Sequence, residues 1–162
     1  MAEENRVVGI AEIIVSQSPQ KLMAYGLGSC VGVTLYDARN KTGGLAHVML
    51  PSSQLHSNET PPPGKYADTA LTALVAEMQK AGCRVKGLEA KIVGGANMFA
   101  SLSQSSMPIG LRNVSAIRHI LLGKDIPIVG EDIGGSQGRT MIFNLGDGRI
   151  EIRKLNLPVE YL

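Results

Sequence analysis

A cysteine that follows a glycine-rich turn is the feature of this sequence best suited to chemistry. Residues 26–30 read GLGSC, so Cys30 comes directly after two glycines and a small serine. Glycines at this spacing let the backbone turn tightly and approach a bound molecule closely. The backbone N–H groups of Gly28, Ser29 and Cys30 could then point at a developing oxyanion. The pattern is consistent with a nucleophilic thiol, and a small buried hydrophobe at the start of a strand is the alternative interpretation.

The glycine turn does not match the nucleotide-binding motifs that it resembles at first sight. The dinucleotide fingerprint requires a third glycine where this chain has Val31, and it requires a helix where VGVTLY indicates a strand. No Lys-Ser or Lys-Thr pair stands at the spacing of a phosphate-binding loop. The sequence also lacks CxxC and HxxxH spacings. We therefore expect no cofactor and no metal.

A cysteine nucleophile needs a base, and the chain has three histidines. His119 lies in a predicted helix, two residues from an apolar stripe position, and is expected to point outward or to lie at the stripe's edge. His56 lies in a proline-rich loop that constrains its position poorly. His47 lies within AHVML, a predicted strand whose partner is the strand that Cys30 begins. His47 is therefore the candidate base.

The predicted hairpin around residues 38–43 determines whether Cys30 and His47 can meet. In such a hairpin Cys30 lies opposite Leu50 or close to it. His47 is then about three residues further along, or roughly 10 Å away at ~3.3 Å per residue. Contact requires a bent glycine turn or a bulge, and the register decides whether the two side chains share a face. A Cys–His pair and a satisfied core histidine both remain open.

The composition is that of a single globular domain spanning residues 1–162. Apolar residues make up 44% and charged residues 19%, with a formal net charge of +2. These values exclude disorder across the whole chain. No apolar run approaches the ~18 residues that a membrane helix needs, so we expect no membrane insertion. The first residues are acidic where a signal peptide is basic, which indicates a cytoplasmic location.

The charge and aromatic content argue against nucleic acid as a partner. Basic residues are scattered among acidic ones, and six aromatic residues without tryptophan do not form a base-stacking platform. Cys83 lies 53 positions after Cys30 and has no glycine frame of its own. A disulfide between them is improbable in a reducing cytoplasm, and a thiol redox domain is disfavoured.

The sequence pattern predicts an α+β layered fold with two main helices and seven or eight strands. Apolar residues at helical spacing, Leu71, Leu74, Val75 and Met78, predict a helix over 66–81. A second helix is predicted with Asn113 as its N-cap and Gly123 as its end. Residues 51–64 predict a long proline-rich loop, and Gly146-Asp147-Gly148 predicts a hairpin turn. Strands are predicted over residues 6–16, 21–25, 30–37, 44–50, 88–93, 126–132, 139–145 and 150–155.

A second glycine turn, GGANMF over residues 94–99, follows the predicted strand 88–93. Successive glycines there could form a backbone nest or a tight turn. Met98 and Phe99 follow directly. They are either buried in the core or exposed as a partner-binding knob, since Met and aromatic side chains are enriched at interfaces.

Six segments in this order resemble those of the chemoreceptor glutamine deamidase family, CheD, of bacterial and archaeal chemotaxis. They are GLGSCVGVTLYD, GGLAHVMLP, GKYADTAL, EAKIVGGANMF, IGLRNV and GEDIGG. The resemblance runs from about Val8 to Lys154. It implies an α/β/β layered fold similar to the catalytic domains of deamidating toxins. It also implies hydrolysis of particular glutamine side chains on the cytoplasmic helices of methyl-accepting chemoreceptors.

The family resemblance also assigns roles to individual residues. It implies that Cys30 is the nucleophile and His47 the base. The third catalytic position, often a threonine six residues before the cysteine, is Ala24 in this chain. Either a backbone carbonyl or another side chain orients His47 instead, or the enzyme is weakened, and we expect the first of these two outcomes.

Family members also bind the chemotaxis phosphatase CheC, which makes Phe99 a partner-binding candidate. Two hypotheses follow, and both can hold for one protein. The first is a cysteine-dependent deamidase. The second, suggested by the missing threonine, is a non-catalytic or weakly catalytic module that docks on CheC or on receptors.

Overall fold

The computed structural model describes residues 4–55, 60–99 and 107–162. Within these ranges the chain forms two α-helices, α1 (Ala67–Lys80) and α2 (Ile109–Gly123), and ten strands. The strands are β1 (Asn5–Val7), β2 (Ile13–Gln17), β3 (Lys21–Leu27), β4 (Val31–Asp37), β5 (Thr42–Val48), β6 (Glu89–Gly94), β7 (Ile128–Ile133), β8 (Arg139–Asn144), β9 (Ile150–Arg153) and β10 (Glu160–Tyr161). None of the described helices has the length and apolarity needed to cross a bilayer.

The strands form two five-stranded sheets, which we call sheet I and sheet II. Sheet I has the order β1-β3-β8-β9-β10, and sheet II has the order β2-β5-β4-β6-β7. Pairing is antiparallel except between β1 and β3 and between β6 and β7. The predicted α+β class, with antiparallel-rich sheets and two main helices, is confirmed. The similarity to toxin catalytic domains stays a prediction.

Two apolar cores hold the layers together. The predicted stripe of α1 is buried, and it packs with α2 against one face of sheet II. The opposite face of sheet II packs against sheet I through a second core. Burial of each large apolar side chain in these cores stabilises the fold by about 1.5–3 kcal/mol. Sheet II is covered on both faces and is therefore the central layer of the fold. The second core contains Val8, Leu22, Ala24, Leu27, Leu45, Val93, Met141, Phe143, Leu145, Ile150 and Ile152.

The N-terminal segment forms two strands, so the single strand predicted over residues 6–16 is wrong. β1 belongs to sheet I and β2 to sheet II. Between them the Gly9 N–H donates to the Glu12 carboxylate (2.8 Å), and Ala11 takes a left-handed backbone with φ of 67°. Both halves have β-forming composition, so the residue pattern does not reveal that the chain passes from one sheet to the other.

The predicted hairpin formed by β4 and β5 is confirmed, and its register gives the offset between Cys30 and His47. Val31 pairs with Val48, and Gly32 pairs with His47. Cys30 directly precedes the last pair of this ladder, and His47 lies one residue inside it. The two residues are thus offset by about two positions along the hairpin, close to the three that the sequence predicts.

The second helix begins earlier than predicted. It starts at Ile109 after Pro108, so Asn113 lies inside the helix and is not its N-cap. Its end at Gly123 is confirmed. The predicted loop over 51–64 contains short 3-10 turns at Ser53–Leu55 and Pro63–Lys65, and its residues 56–59 lie outside the described part of the chain.

Candidate active site

Cys30 lies immediately before β4, at the margin of the core between the two sheets. Alternation along β4 sends Val31 and Val33 to the helix side. A Cβ at Gly32 would meet Met141 and Leu27, so even-numbered positions face sheet I. Cys30 is half-buried and packs on the inter-sheet core. Burial raises the pKa of its thiol, and its own backbone N–H opposes that shift in pKa.

His47 lies on β5 and shares the sheet face of Cys30. It follows Leu45 by two residues, and Leu45 belongs to the inter-sheet core, so both side chains point towards sheet I. Side chains that are diagonal neighbours across an antiparallel pair are within reach of each other when one of them is long or aromatic. The register thus places the two residues that the sequence predicted as nucleophile and base on the same face of sheet II.

The His47 ring is held by the main chain and not by a side chain. Nδ1 lies 3.1 Å from the carbonyl oxygen of Val8, at the point where the chain passes between sheets. A carbonyl only accepts hydrogen bonds, so Nδ1 carries the proton and Nε2 carries a lone pair. Val8 supplies the backbone carbonyl that we expected in place of the missing threonine.

The other ring nitrogen of His47 has no hydrogen-bond partner among the described residues, although the side chain is only 2% exposed. Burial lowers the pKa of His47, while the hydrogen bond to Val8 and the negative charge of Glu12 oppose this shift in pKa. A buried ring with an unpaired nitrogen is not the satisfied core histidine of the alternative interpretation.

Ala24 lies on β3 beside Val8 and is fully buried. The parallel register of β1 and β3 pairs Val7 with Met23 and continues to Val8 and Ala24. The methyl group of Ala24 offers no hydrogen bond. His47 is instead supported by Val8, which directly follows β1, the strand that neighbours β3.

The turn before Cys30 is fixed by its carbonyl groups. The Gly28 carbonyl accepts from the Ala96 N–H (2.8 Å), and the Ser29 carbonyl accepts from the Asn113 side chain (2.9 Å). In a trans peptide unit the N–H points away from the C=O, so the N–H groups of Ser29 and Cys30 point to the opposite side. Among the described residues nothing accepts from the N–H groups of Gly28 and Ser29. These groups remain available to an oxyanion.

The second glycine turn lies against the first. A Cβ at Gly94 would overlap the carbonyl oxygen of Cys30, and the backbone there has a φ of +117°, which favours glycine. Met98 covers the first turn, since its sulfur lies 2.7 Å from where a Cβ of Gly28 would be. Met98 is 53% exposed and Phe99 is 73% exposed. Both therefore lie at the surface, Met98 against the cysteine turn and Phe99 next to it in sequence, and neither is buried in the core.

A third loop, residues 134–138, packs against the second glycine turn, which in turn contacts the cysteine turn. The Gly134 N–H donates to the Gly94 carbonyl (2.9 Å), and the Asn97 N–H donates to the Gly135 carbonyl (2.8 Å). The buried Arg139 guanidinium donates to the carbonyls of Gly134 and Gln137 and to the carboxylate of Asp132. This network gives a physical role to the GEDIGG motif.

The prediction from sequence did not include three groups that hold this site. They are the Val8 carbonyl, the Asn113 amide and the Arg139 guanidinium. A main-chain carbonyl leaves no signature in residue types. Asn113 did carry a signal, because a polar residue between apolar stripe positions of a helix calls for a buried partner.

The remaining candidates lie away from Cys30 or outside the described residues. His119 is exposed on α2 and lines a surface groove with Pro51 and Ser52. His56 lies outside the described residues. Cys83 is buried after α1, where burial and the adjacent Asp37 carboxylate raise the pKa of its thiol to about 11. Such a thiol is inert, so Cys30 is the better nucleophile.

Comparisons with known proteins identify the family of the chain. The family described as CheD chemotactic sensory transduction matches residues 49–154. The probable chemoreceptor glutamine deamidase CheD of Clostridium novyi (strain NT) is 46% identical over 153 residues, covering 94% of this chain and 94% of the relative. Proteins of the same name from Clostridium acetobutylicum (42% identical, 94% of this chain, 92% of the relative) and Clostridium botulinum strain Hall (47% identical, 93% of each) are also similar. The chain belongs to the CheD family.

Proposed function

We propose that this chain hydrolyses glutamine side chains of chemoreceptors to glutamate and ammonia, with Cys30 as nucleophile and His47 as base. The observation that carries the proposal is the His47 ring. Its Nδ1 is held by the Val8 carbonyl, and its Nε2 has no partner among the described residues, on the face that it shares with Cys30. The names of the relatives supply the reaction class.

The first half of the reaction forms a thioester. His47 Nε2 takes the proton of the Cys30 thiol, and the thiolate attacks the carboxamide carbon of the glutamine. As the C–S bond forms, the carbonyl electron pair moves to oxygen, where the N–H groups of Gly28 and Ser29 donate to it. The His47 imidazolium then gives its proton to the amide nitrogen, the C–N bond breaks, and ammonia leaves.

The second half of the reaction restores the enzyme. A water molecule enters in place of ammonia and gives a proton to His47 Nε2 as its oxygen attacks the thioester carbon. The C–S bond breaks, the Cys30 sulfur recovers its proton from His47, and the receptor keeps a glutamate side chain. The net change is consumption of one water and release of one ammonia.

The resting charge state suits this mechanism. Burial lowers the pKa of His47, so the ring is neutral near pH 7 and able to accept a proton. Burial raises the pKa of the Cys30 thiol, so the sulfur is protonated before substrate arrives. A neutral pair avoids the desolvation of two charges in the cleft.

The substrate-binding surface is apolar and exposed beside Cys30. Met98 and Phe99 project from the turn that covers Gly28. A helical receptor segment that presents a glutamine could pack on these side chains while its carboxamide enters the cleft. Such receptor segments lie in the cytoplasm, which is where the proposal places the enzyme.

A receptor assay tests the proposal. A purified chemoreceptor cytoplasmic fragment is incubated with the protein, ammonia is measured, and the modified glutamines are mapped by mass spectrometry. We expect conversion by the wild type and none by Cys30→Ala. The matched control is Cys83→Ser, which keeps a hydrogen-bond donor beside Asp37 and should retain activity. Activity that persists in Cys30→Ala would exclude the assigned nucleophile.

A second candidate function, docking on a CheC-type phosphatase, is favoured by the exposure of Phe99. A large aromatic side chain at the surface is typical of a binding anchor. In a pull-down with purified CheC, Phe99→Ala should lose binding, while Leu122→Ala, which removes an apolar side chain that is 77% exposed on α2, should not. Equal binding of CheC by both variants would show that Phe99 is not an anchor for this partner.

A further inference from the structure

The ladder between β4 and β5 opens at the site. Its last pair is Val31 with Val48. Beyond it the N–H groups of Met49 and Leu50 both donate to the Lys65 carbonyl, at 3.0 and 2.9 Å. The Cys30 carbonyl accepts from the Gly95 N–H at 3.0 Å. The segments that carry Cys30 and follow His47 therefore bond to other partners beyond this pair, and the ladder between them ends beside Cys30.

One side chain bridges this opening. The amide nitrogen of Asn113 donates to the Ser29 carbonyl (2.9 Å) and to the Met49 carbonyl (3.1 Å). Both partners are acceptors only, so chemistry fixes the orientation of the amide with Nδ2 towards them. Asn113 thus connects the turn before Cys30 to the residue that follows β5.

The bridge is costly to the fold. Asn113 is 0% exposed, and its Oδ1 has no hydrogen-bond partner among the described residues. An unpaired buried acceptor destabilises a protein, and asparagine is a poor residue for a helix interior. The two carbonyls gain a donor from this side chain, but the buried Oδ1 stays unpaired, and that cost calls for a functional explanation.

We propose that Asn113 is a positioning residue for the deamidation, holding the Cys30 turn at a fixed distance and orientation from the strand of His47. Its bond to the Ser29 carbonyl fixes the peptide unit whose other end is the Cys30 N–H. Its bond to the Met49 carbonyl ties that unit to β5. The inference rests on the proposed function, since it assigns Asn113 a task in that reaction.

The effect should fall on turnover rather than on receptor binding. Asn113 is buried on the helix side of the turn and does not face an incoming receptor. A displaced catalytic group can cost about 100-fold in rate, and a lost oxyanion donor costs about 100- to 1000-fold. We expect kcat to fall about 10- to 100-fold when the bridge is removed, with KM unchanged.

Two substitutions and one control test the proposal. Asn113→Leu keeps a similar volume and removes the donor, and Asn113→Asp puts an acceptor opposite the two carbonyls. Leu121→Ala cuts a fully buried side chain two turns further along α2 and leaves the bridge intact. Melting temperatures and receptor deamidation kinetics are measured for all three.

We expect Leu121→Ala to lose melting temperature and keep its kcat, and Asn113→Leu to stay folded with a reduced kcat and an unchanged KM. A wild-type kcat in Asn113→Leu overturns the proposal. So does a loss of kcat that merely follows melting temperature across all three variants. If Asn113→Leu does not fold, Asn113→Asp takes its place, and a wild-type kcat in Asn113→Asp overturns the proposal.

A thiol assay separates this inference from the proposed function. If the wild type does not deamidate the receptor, the proposed function fails, and the bridge is judged by iodoacetamide alkylation of Cys30, located by peptide mapping. Loss of the bridge should slow Cys30 alkylation at least about three-fold, because the Cys30 N–H no longer supports the thiolate. An equal or faster rate in Asn113→Leu then overturns the inference.

Discussion

His47, the proposed base, is a buried histidine whose two ring nitrogens have different environments. The Val8 carbonyl fixes the proton on Nδ1, and the Nε2 lone pair has no hydrogen-bond partner among the described residues. A third member of a triad has the task of selecting the tautomer and orientation of the ring. A carbonyl performs that task without adding a negative charge, so substitution of the family threonine by Ala24 does not remove the support of the ring.

The pH dependence of stability should report the buried His47. Its pKa is lowered by burial from the usual 6.5, so below that pH the unfolded chain takes up a proton that the folded chain refuses. We expect the wild type to keep its full free energy of unfolding above pH 6.5 and to lose part of it as the pH falls through the lowered pKa. Urea unfolding from pH 4 to 8 measures this change.

The comparison variants for this pH test are His47→Gln and His119→Gln. The first should flatten the loss of stability below pH 6.5, and the second, at an exposed position, should follow the wild type. Parallel curves for His47→Gln and the wild type would show that His47 does not titrate as a buried base.

Three turns converge on Cys30, and their glycines explain motifs that otherwise have no role in catalysis. Gly94 brings its backbone against the Cys30 carbonyl, and a Cβ at Gly110 on α2 would lie 2.6 Å from the Ala96 carbonyl oxygen. The end of β6 and the start of α2 thus approach more closely than side chains would allow. At the scale of elements, the cysteine turn is held by a helix and two loops.

Substitution of Gly94 should disrupt this approach. An alanine there would overlap the Cys30 carbonyl and would have to adopt a φ of +117°. We expect Gly94→Ala to lower the free energy of unfolding by about 2 kcal/mol or more and to abolish deamidation. Gly87→Ala, at a glycine with open space around it, should change the free energy of unfolding by less than about 0.5 kcal/mol. Similar urea midpoints for the two variants would contradict the close approach.

The buried Arg139 should matter far more than an exposed arginine. Its side chain is 2% exposed and pairs with Asp132, which also accepts from Lys154. Burial raises the pKa of Asp132, but these two cations outweigh it and hold that pKa below its usual value. We expect Arg139→Met to cost about 3–5 kcal/mol by urea unfolding.

The matched control for the buried arginine is Arg118→Met. It removes an exposed ion pair with Glu131 that contributes no more than about 1 kcal/mol. An equal loss in both variants would show that Arg139 does not organise the loop over residues 134–138.

The sequence was sufficient for elements whose evidence is local. The stripe of Leu71 and its neighbours predicted α1, and the turn around Asp147 predicted the pairing of β8 with β9. Non-local features could not be predicted. A one-residue uncertainty in the β4–β5 register left the relative position of Cys30 and His47 open, and the Val8 carbonyl depends on a crossing between sheets that residue types do not encode.

In the whole molecule, the proposed catalytic pair lies on β5 and directly before β4, in the layer that is covered on both faces. Sheet II is supported by helices on one side and by sheet I on the other. The N-terminal segment runs from the edge of sheet I to the edge of sheet II and brings the Val8 carbonyl to His47. Each layer therefore contributes to the proposed site: α2 bonds to the turn before Cys30, sheet II carries His47, and sheet I packs against the face that the two residues share.

Truncation at the N-terminus should lower activity, and truncation at the C-terminus should not. β1 and β10 lie at opposite edges of sheet I. Deletion of residues 1–8 removes the Val8 carbonyl and should lower kcat by about 100-fold, because His47 loses its orientation. Deletion of residues 157–162 removes β10 and should lower melting temperature while kcat stays close to that of the wild type. Full activity after the N-terminal deletion would contradict the role of Val8.

The central claim is that the sulfur of Cys30 becomes covalently bonded to the glutamine side chain during turnover. Mass spectrometry of the enzyme quenched in acid while it acts on a receptor fragment measures this directly. We expect a thioester adduct on the peptide that contains Cys30 in the wild type, and no adduct in Cys30→Ala. Steady conversion of glutamine to glutamate with no adduct on Cys30, together with activity in Cys30→Ala, would contradict it.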